Sequence, residues 1–402
     1  MIVKNESENM ISVLDSVRET IDAFAISDTG STDDTKKIIQ EWSFKHSIPG
    51  VIDNFEFQDF GTNRSHSFLM AKKYAMNQNW DLSKTFALLL DADSTLNVQS
   101  PKTVKEILHD ESEQFNNWHV AHELDSVVYK RGNFLRFDCE WICVGAAHEY
   151  WTSKTTKSSN ALAKIVSITE KNTGGMKPTK SSREISLLEK DLENNPENPR
   201  TLFYLGRCLI QTDCPENKKR GEELLTKRLE YRDFPEECYE SRVVLCREAR
   251  KIGDTEKLLY HAFCGMKDAP TRPELFFEAG KSLRWKDSSR LAACEVLLIA
   301  IKLTLPPRIA DSSELFHSAW IACALQITNA PTDYYAREYS SVLFMVKEIV
   351  HFGLFEEFAI SSTWTDARPI FNTRGKIANN FLLKYGSEHV KQRAIDRKKF
   401  FE

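Results

Sequence analysis

The sequence predicts an α/β domain with a mixed, largely parallel sheet, followed by an all-α helical repeat. Three observations carry this. Strand-like and helix-like segments alternate over residues 1 to about 150, the pattern of βαβ units. Residues 153–182 then shift to Ser, Thr, Lys and Gly. Beyond them helical spacing dominates, in pairs repeating every 35–40 residues or so, the period of helical-hairpin arrays. The expected division is therefore 1–175 and 176–402.

Ile2-Val3 ends a first strand, and a helix is predicted from about Ser7 to Val17. Ala23 to Ser27 reads as a second strand, followed by a turn and a helix over Asp33 to Trp42. Val51 to Phe57 alternates as a third strand, and Ser65 to Gln78 as a helix. Thr85-Phe86-Ala87-Leu88-Leu89-Leu90 has no helical period, and all six residues can be buried, so it reads as a central parallel strand. Trp118 to Tyr129 and Phe134 to Val144 are predicted strands on the far side of the site. Lys164 to Ile168 is the last strand, before a connection through Gly174-Gly175 and Pro178.

The helical pairs expected next are Glu184–Asn194 with Arg200–Gln211 and Lys218–Tyr231 with Glu236–Ile252. Asp254–Met266 pairs with Pro273–Trp285, and Arg290–Leu303 with Ser312–Thr328. Gly206, Ala249 and Ala279 are small enough to let facing helices approach closely.

The chain has 402 residues, 41% hydrophobic and 28% charged, enough for real cores under a hydrophilic surface. A net charge of −4 supplies no basic field to recruit nucleic acid. Nine cysteines without CxxC pairs favour reduced thiols. Cys139 and Cys143 lack a second pair to complete a zinc site, so core packing is the simpler reading. No stretch approaches about 18 apolar residues and no signal segment is evident, so a soluble, cytoplasmic or cytosol-facing chain is expected.

The chemistry concentrates at two strand ends. Asp91-Ala92-Asp93 closes the apolar run of Thr85 to Leu90, where open α/β sheets bind their ligands. With the strand broken at Asp91, the two carboxylates can converge on one hard cation. Mg²⁺ or Mn²⁺ is typically held by one or two carboxylates plus substrate phosphates. A solvated acidic turn is the competing reading. Ser27 to Thr35 is a strand end, a Gly turn and a helix start, in which Ser31 or Thr32 can cap and Asp33-Asp34 favours the helix's positive end. There Asp28 can accept the N3–H of a uracil, or simply hold the turn.

Together these segments resemble family 2 glycosyltransferases of the GT-A fold, a Rossmann-like mixed sheet. The matches are Met1-Ile2-Val3-Lys4-Asn5-Glu6, Ser27 to Thr35, and Asp91-Ala92-Asp93. The resemblance is nearer to members with a tetratricopeptide-like (TPR-like) C-terminal domain. It extends through Asp59-Phe60-Gly61-Thr62-Asn63-Arg64, Val144 to Trp151, Arg200 with Phe203 to Gly206, and Phe234 to Tyr239.

The resemblance implies an inverting transferase, moving a sugar from a nucleotide-diphosphate donor to a hydroxyl- or thiol-bearing acceptor. A uridine diphosphate sugar such as UDP-glucose is the expected donor, and the cofactor is divalent Mn²⁺ or Mg²⁺. Asn5 and Glu6 would border base and ribose, Asp28 would read the base, and Arg64 would lie near the nucleotide or form a surface ion pair. Asp91 would contact ribose or metal-bound water, and Asp93 would ligate the cation. Glu149 would be the base that deprotonates the acceptor, with Asp125 and Glu123 as alternatives. His148 would ligate the metal or donate to the diphosphate; a buried His148–Glu149 pair holding a loop is the rival. Tyr150 and Trp151 could stack on a sugar or serve as core. Many relatives carry a His after the final strand; here Ile168-Thr169-Glu170 stands, and Glu170 could substitute as third ligand. The acceptor would be a protein, peptide or glycan presented by the helical repeats, which could equally form a homodimer. The rival class is a helical-repeat scaffold carrying an inactive nucleotide-binding domain.

Overall fold

The computed structural model describes residues 1–99, 101–124, 127–155, 158–162, 165–171, 180–270, 272–285, 289–303, 352–363 and 369–401. The chain divides into two compact units, Met1–Leu209 and Ile210–Glu402. The first holds a mixed sheet system and the second is helical, as the segment pattern predicts.

In the first unit, β1 (Ile2–Val3), β2 (Phe24–Asp28) and β3 (Gly50–Asn54) form a parallel sheet in that order. Two helices link them. α1 (Met10–Val17) buries Met10, Val13, Leu14 and Val17, an i, i+3, i+4, i+7 stripe. α2 (Thr35–His46) buries Ile39 and Trp42. Register places Val3 opposite Asp28 and Asp28 opposite Asn54, so Asp28 stands at the carboxyl end of the middle strand.

α3 (Phe60–Asn77) starts five residues before the predicted Ser65, because Asp59 caps it by accepting the Thr62 N–H at 2.7 Å. Then come β4 (Phe86–Leu88), β5 (Ser94–Val98), α4 (Pro101–Asp110), β6 (Asn117–Leu124), β7 (Val127–Arg136), β8 (Trp141–Val144), β9 (Tyr150–Ser153), β10 (Ser159–Ala161) and β11 (Val166–Glu170). The second sheet runs β4-β7-β6-β11-β5, with β10 beside the start of β6; β8 and β9 form a separate hairpin.

The central parallel strand expected over Thr85–Leu90 is not what forms. β4 has three residues, and its one partner among the described strands is β7, antiparallel. An apolar cavity of about 640 Å³, lined by Ile2, Phe24, Phe86, Leu88 and Phe134 and reaching Arg64, touches both β1 and β4. An unbroken apolar run reports burial on both faces, but not which strand lies alongside. The last strands also break differently from expectation. β7 continues through Lys130 to Asn133, and the chain turns at Asp138-Cys139-Glu140 before β8.

α5 (Lys180–Asn194) and α6 (Pro199–Ile210) close the first unit; the boundary between units falls at the end of α6 rather than near residue 175. The second unit contains α7 (Pro215–Arg228), α8 (Pro235–Lys251), α9 (Thr255–Asp268), α10 (Glu274–Leu283), α11 (Arg290–Leu303), α12 (Leu354–Ser362), α13 (Pro369–Tyr385) and α14 (Glu388–Arg397). Successive helices pack on one another from α7 to α11. Ala249 and Ala279 are fully buried in that core, where small side chains permit close approach. The predicted helix Ser312–Thr328 lies outside the described residues. Arg272 is buried with Glu236, Glu240 and Glu274 at 2.7–2.9 Å, its guanidinium over the Tyr239 ring at 4.0 Å. Among the described residues, no helix is long and apolar enough to cross a membrane.

Candidate functional site

The turn after β2 is built by side chains of its own segment and of the segment after β1. Asp28 is 1% exposed, and its Oδ1 accepts the N–H groups of Gly30 and Ser31 at 2.9 and 2.8 Å. Gly30 sits at φ +109°, a conformation L side chains rarely adopt. Asn5, itself at φ +55°, donates its N–H to Ser31 Oγ and accepts the Thr32 N–H on Oδ1 at 2.8 Å. The Glu6 N–H donates to Thr35 Oγ1 at 2.8 Å, while its carboxylate accepts from Asn9 Nδ2. Asn5 and Glu6 thus shape the loop. The remaining oxygen of Asp28, Oδ2, is buried without a hydrogen-bond partner. Leaving such an acceptor unpaired costs about 1–3 kcal/mol, which an N–H donor of a ligand would recover.

β4 ends at Leu88, and Asp91–Asp93 lies in the turn that follows, where Asp91 C=O accepts the Ser94 N–H. The chain has thus already left the strand at Asp91, two residues earlier than the apolar run suggested. Four charges from four segments meet at this turn. Arg64 of α3 places Nη2 2.6 Å from Asp91 Oδ1 and Nε 2.7 Å from Glu149 Oε1. Arg131 of β7 lies 3.6 Å from Asp91 Oδ2 and 3.3 Å from Glu149 Oε1.

Burial alone would raise the Asp91 carboxyl, but Arg64 and Arg131 outweigh it and hold the group well below the usual carboxylate range. The same contest lowers Glu149. Burial likewise opposes the charge on Arg64, yet Asp91 and Glu149 fix its proton more firmly than usual. The quartet balances to zero net charge and keeps both carboxylates ionised.

Behind Asp91, His122 is 3% exposed, with Nδ1 2.7 Å from Glu170 Oε1 and Nε2 2.8 Å from Asn133 Oδ1. Asn133 Nδ2 in turn donates to Leu89 C=O at 2.8 Å, fixing the chain just before Asp91. Glu170 ends β11, and the next residue, Lys171, donates its N–H to Asp93 C=O at 3.0 Å. Among the described residues, neither Asp91, Asp93 and His148 nor Asp91, Asp93 and Glu170 converge as a group of three ligands.

His148 and Glu149 are neighbours that face opposite ways. Their loop is pinned to the start of α3, where Phe60 and Gly61 donate N–H groups to Ala146 and Gly145 carbonyls. A Cβ on Gly61 would come within 2.7 Å of the Gly145 oxygen, so this approach requires glycine. His148 takes a left-handed conformation, φ +52°, and stacks on Tyr204 at 4.0 Å; its carbonyl accepts from Arg200 Nε and Nη2 at 3.0 and 2.7 Å. It thereby joins α6, whereas Glu149 joins Arg64 and Arg131. Trp151 packs against Phe68 as core, and Tyr150 is 45% exposed beneath Arg200. Glu123 is exposed on β6; Asp125 lies outside the described residues.

Sequence reasoning missed Arg131, Asn133 and the role of His122. A signal existed: Arg131 and Asn133 are two apart in a strand, so they share one face, and buried polar pairs of that kind need partners. No protein-family model matches the chain, and no curated protein matches its sequence.

Proposed function

We propose that the chain is a metal-dependent inverting glycosyltransferase of family 2, with a GT-A N-terminal unit and a TPR-like helical unit that presents the acceptor. The observation that carries this reading is the gathering of Asp91, Arg64, Arg131 and Glu149 at the turn after β4. It supplies charged groups of both signs, held in place, where a nucleotide diphosphate and an acceptor must meet. The orphaned Asp28 Oδ2 suits the N3–H of a uracil, so a UDP-sugar is the preferred donor class.

The donor set suits Mg²⁺ or Mn²⁺, since Asp91 and Asp93 offer hard carboxylate oxygens and such ions take their remaining ligands from phosphate and water. When bound, that ion would offset the negative charge that develops on the departing diphosphate. His148 is left out of this ligand set, and Glu170 is a candidate only through its adjacency to Asp93.

Arg64 and Arg131 are the groups that would bind phosphate oxygens directly, as bidentate guanidinium forks do. Asp91 and Glu149 engage both guanidinium groups. Diphosphate drawing them away would return basicity to Glu149, whose Oε1 could then take the acceptor's proton as the new glycosidic bond forms. This couples donor binding to the arming of the base.

The test is donor hydrolysis by the full chain with Mn²⁺ across a panel of nucleotide sugars. Slow, metal-dependent release of one nucleoside diphosphate is expected. A chain that neither cleaves any donor nor gains thermal stability from one would favour the scaffold reading.

A further inference from the structure

His148, Glu184 and Cys208 come from three separate segments, the β8–β9 turn, α5 and α6, and their ligand atoms all lie within 4.8 Å of one another. Among the described residues no other group of three His, Cys, Asp or Glu side chains meets that condition. We propose that these three side chains form a binding site for a thiophilic divalent cation, Zn²⁺ foremost.

The donor chemistry is specific. An imidazole nitrogen, a carboxylate oxygen and a thiolate sulfur are the three ligand types of protein zinc sites, with metal–ligand bonds of about 2.0–2.3 Å. Sulfur selects against Mg²⁺ and Mn²⁺, which prefer oxygen, so this site differs in kind from the carboxylates at Asp91 and Asp93. Three protein ligands leave one tetrahedral position for water. The imidazole is already oriented: its ring stacks on Tyr204, and Arg200 anchors the carbonyl of the same residue. Cys208 is half-buried, and burial, then the Glu184 carboxylate, push its thiol up to about 11 against the opposing pull of Arg207. Metal binding must therefore expel the thiol proton.

The consequence is a clamp. His148 adjoins Glu149, so an ion held by His148, Glu184 and Cys208 would tie α5 and α6 to the turn that delivers Glu149 to Arg64 and Arg131. The inference goes beyond glycosyl transfer and stands whether or not the chain transfers sugar.

The experiment uses the full chain, stripped with a chelator and titrated with Co²⁺ as a spectroscopic stand-in for Zn²⁺. One thiolate-bound Co²⁺ per chain is expected, counted from thiolate-to-cobalt charge-transfer absorption that Zn²⁺ abolishes and Mg²⁺ leaves in place. Cys208→Ser should remove the charge-transfer band, and Cys264→Ser should retain it. Absence of the band in the parent chain, or its persistence in Cys208→Ser, would overturn the proposal. Should circular dichroism show that Cys208→Ser is unfolded, Glu184→Gln and His148→Gln decide. Each should weaken Co²⁺ binding at least tenfold, and unchanged affinity in both would refute the site.

Discussion

Arg64 Nη2 lies 2.6 Å from Asp91 Oδ1, linking the first turns of α3 to the turn that follows β4, with the Arg64 side chain 15% exposed. The same guanidinium reaches Glu149, so one cation holds two segments that come together only in the folded chain.

Removing that cation should be costly. Arg64→Met leaves Asp91 and Glu149 facing one another with Arg131 beside both, and removing one partner of a half-buried charged pair typically costs about 1–3 kcal/mol. Urea denaturation should show a loss of that order. The double variant Arg64→Met with Asp91→Asn should lose less than the sum of the two singles, because both remove the same interaction. Strict additivity would mean that the pair contributes nothing to folding.

The quartet also sets an acid limit. Asp91 and Glu149 are both lowered in the folded protein: burial acts to raise them, and the two arginines prevail. Carboxylates with depressed folded values stabilise fully above the unfolded value of about 4, and that stability fades as pH falls through the folded values. Stability measured from pH 7 downward should thus begin to fall near pH 4. Asp91→Asn should start lower and fall less steeply across the acid range. An identical slope in that variant would show that Asp91 is not the group responsible.

Asp93→Ala should abolish Mn²⁺-dependent donor cleavage with little change in melting temperature. The side chain stands in a turn, and the backbone bond from Lys171 to the Asp93 carbonyl survives the change. Calorimetry and a nucleotide-release assay separate the two outcomes. Near-normal turnover would move the cation site elsewhere.

Glu149→Gln should lower kcat by about 10²–10⁴-fold, the usual contribution of a general base, while donor affinity changes far less. Because Gln also loosens the hold on Arg64 and Arg131, donor binding should hold steady or tighten. A rise in KM with unchanged kcat would instead make Glu149 a support for the arginines.

Read in one dimension, the chain declared its two-part architecture, the helix of α1, the acidic end of β2 at Asp28 and the acidic turn after the apolar run of β4. These are local properties: periodicity, turn chemistry and the exclusion of charge from apolar runs act over a few neighbouring residues. Folding in space decided the rest. β4 pairs with β7, 46–50 residues onward, and no feature of Thr85–Leu90 specifies that neighbour. Arg131 carries no motif, yet the β7 register delivers it to Asp91. The adjacent residues His148 and Glu149 go to different clusters, with His148 in a left-handed conformation, in a loop that meets α3 where Gly61 approaches Gly145. Which charges meet depends on strand register and loop closure between distant segments, and those are properties of the packed molecule alone.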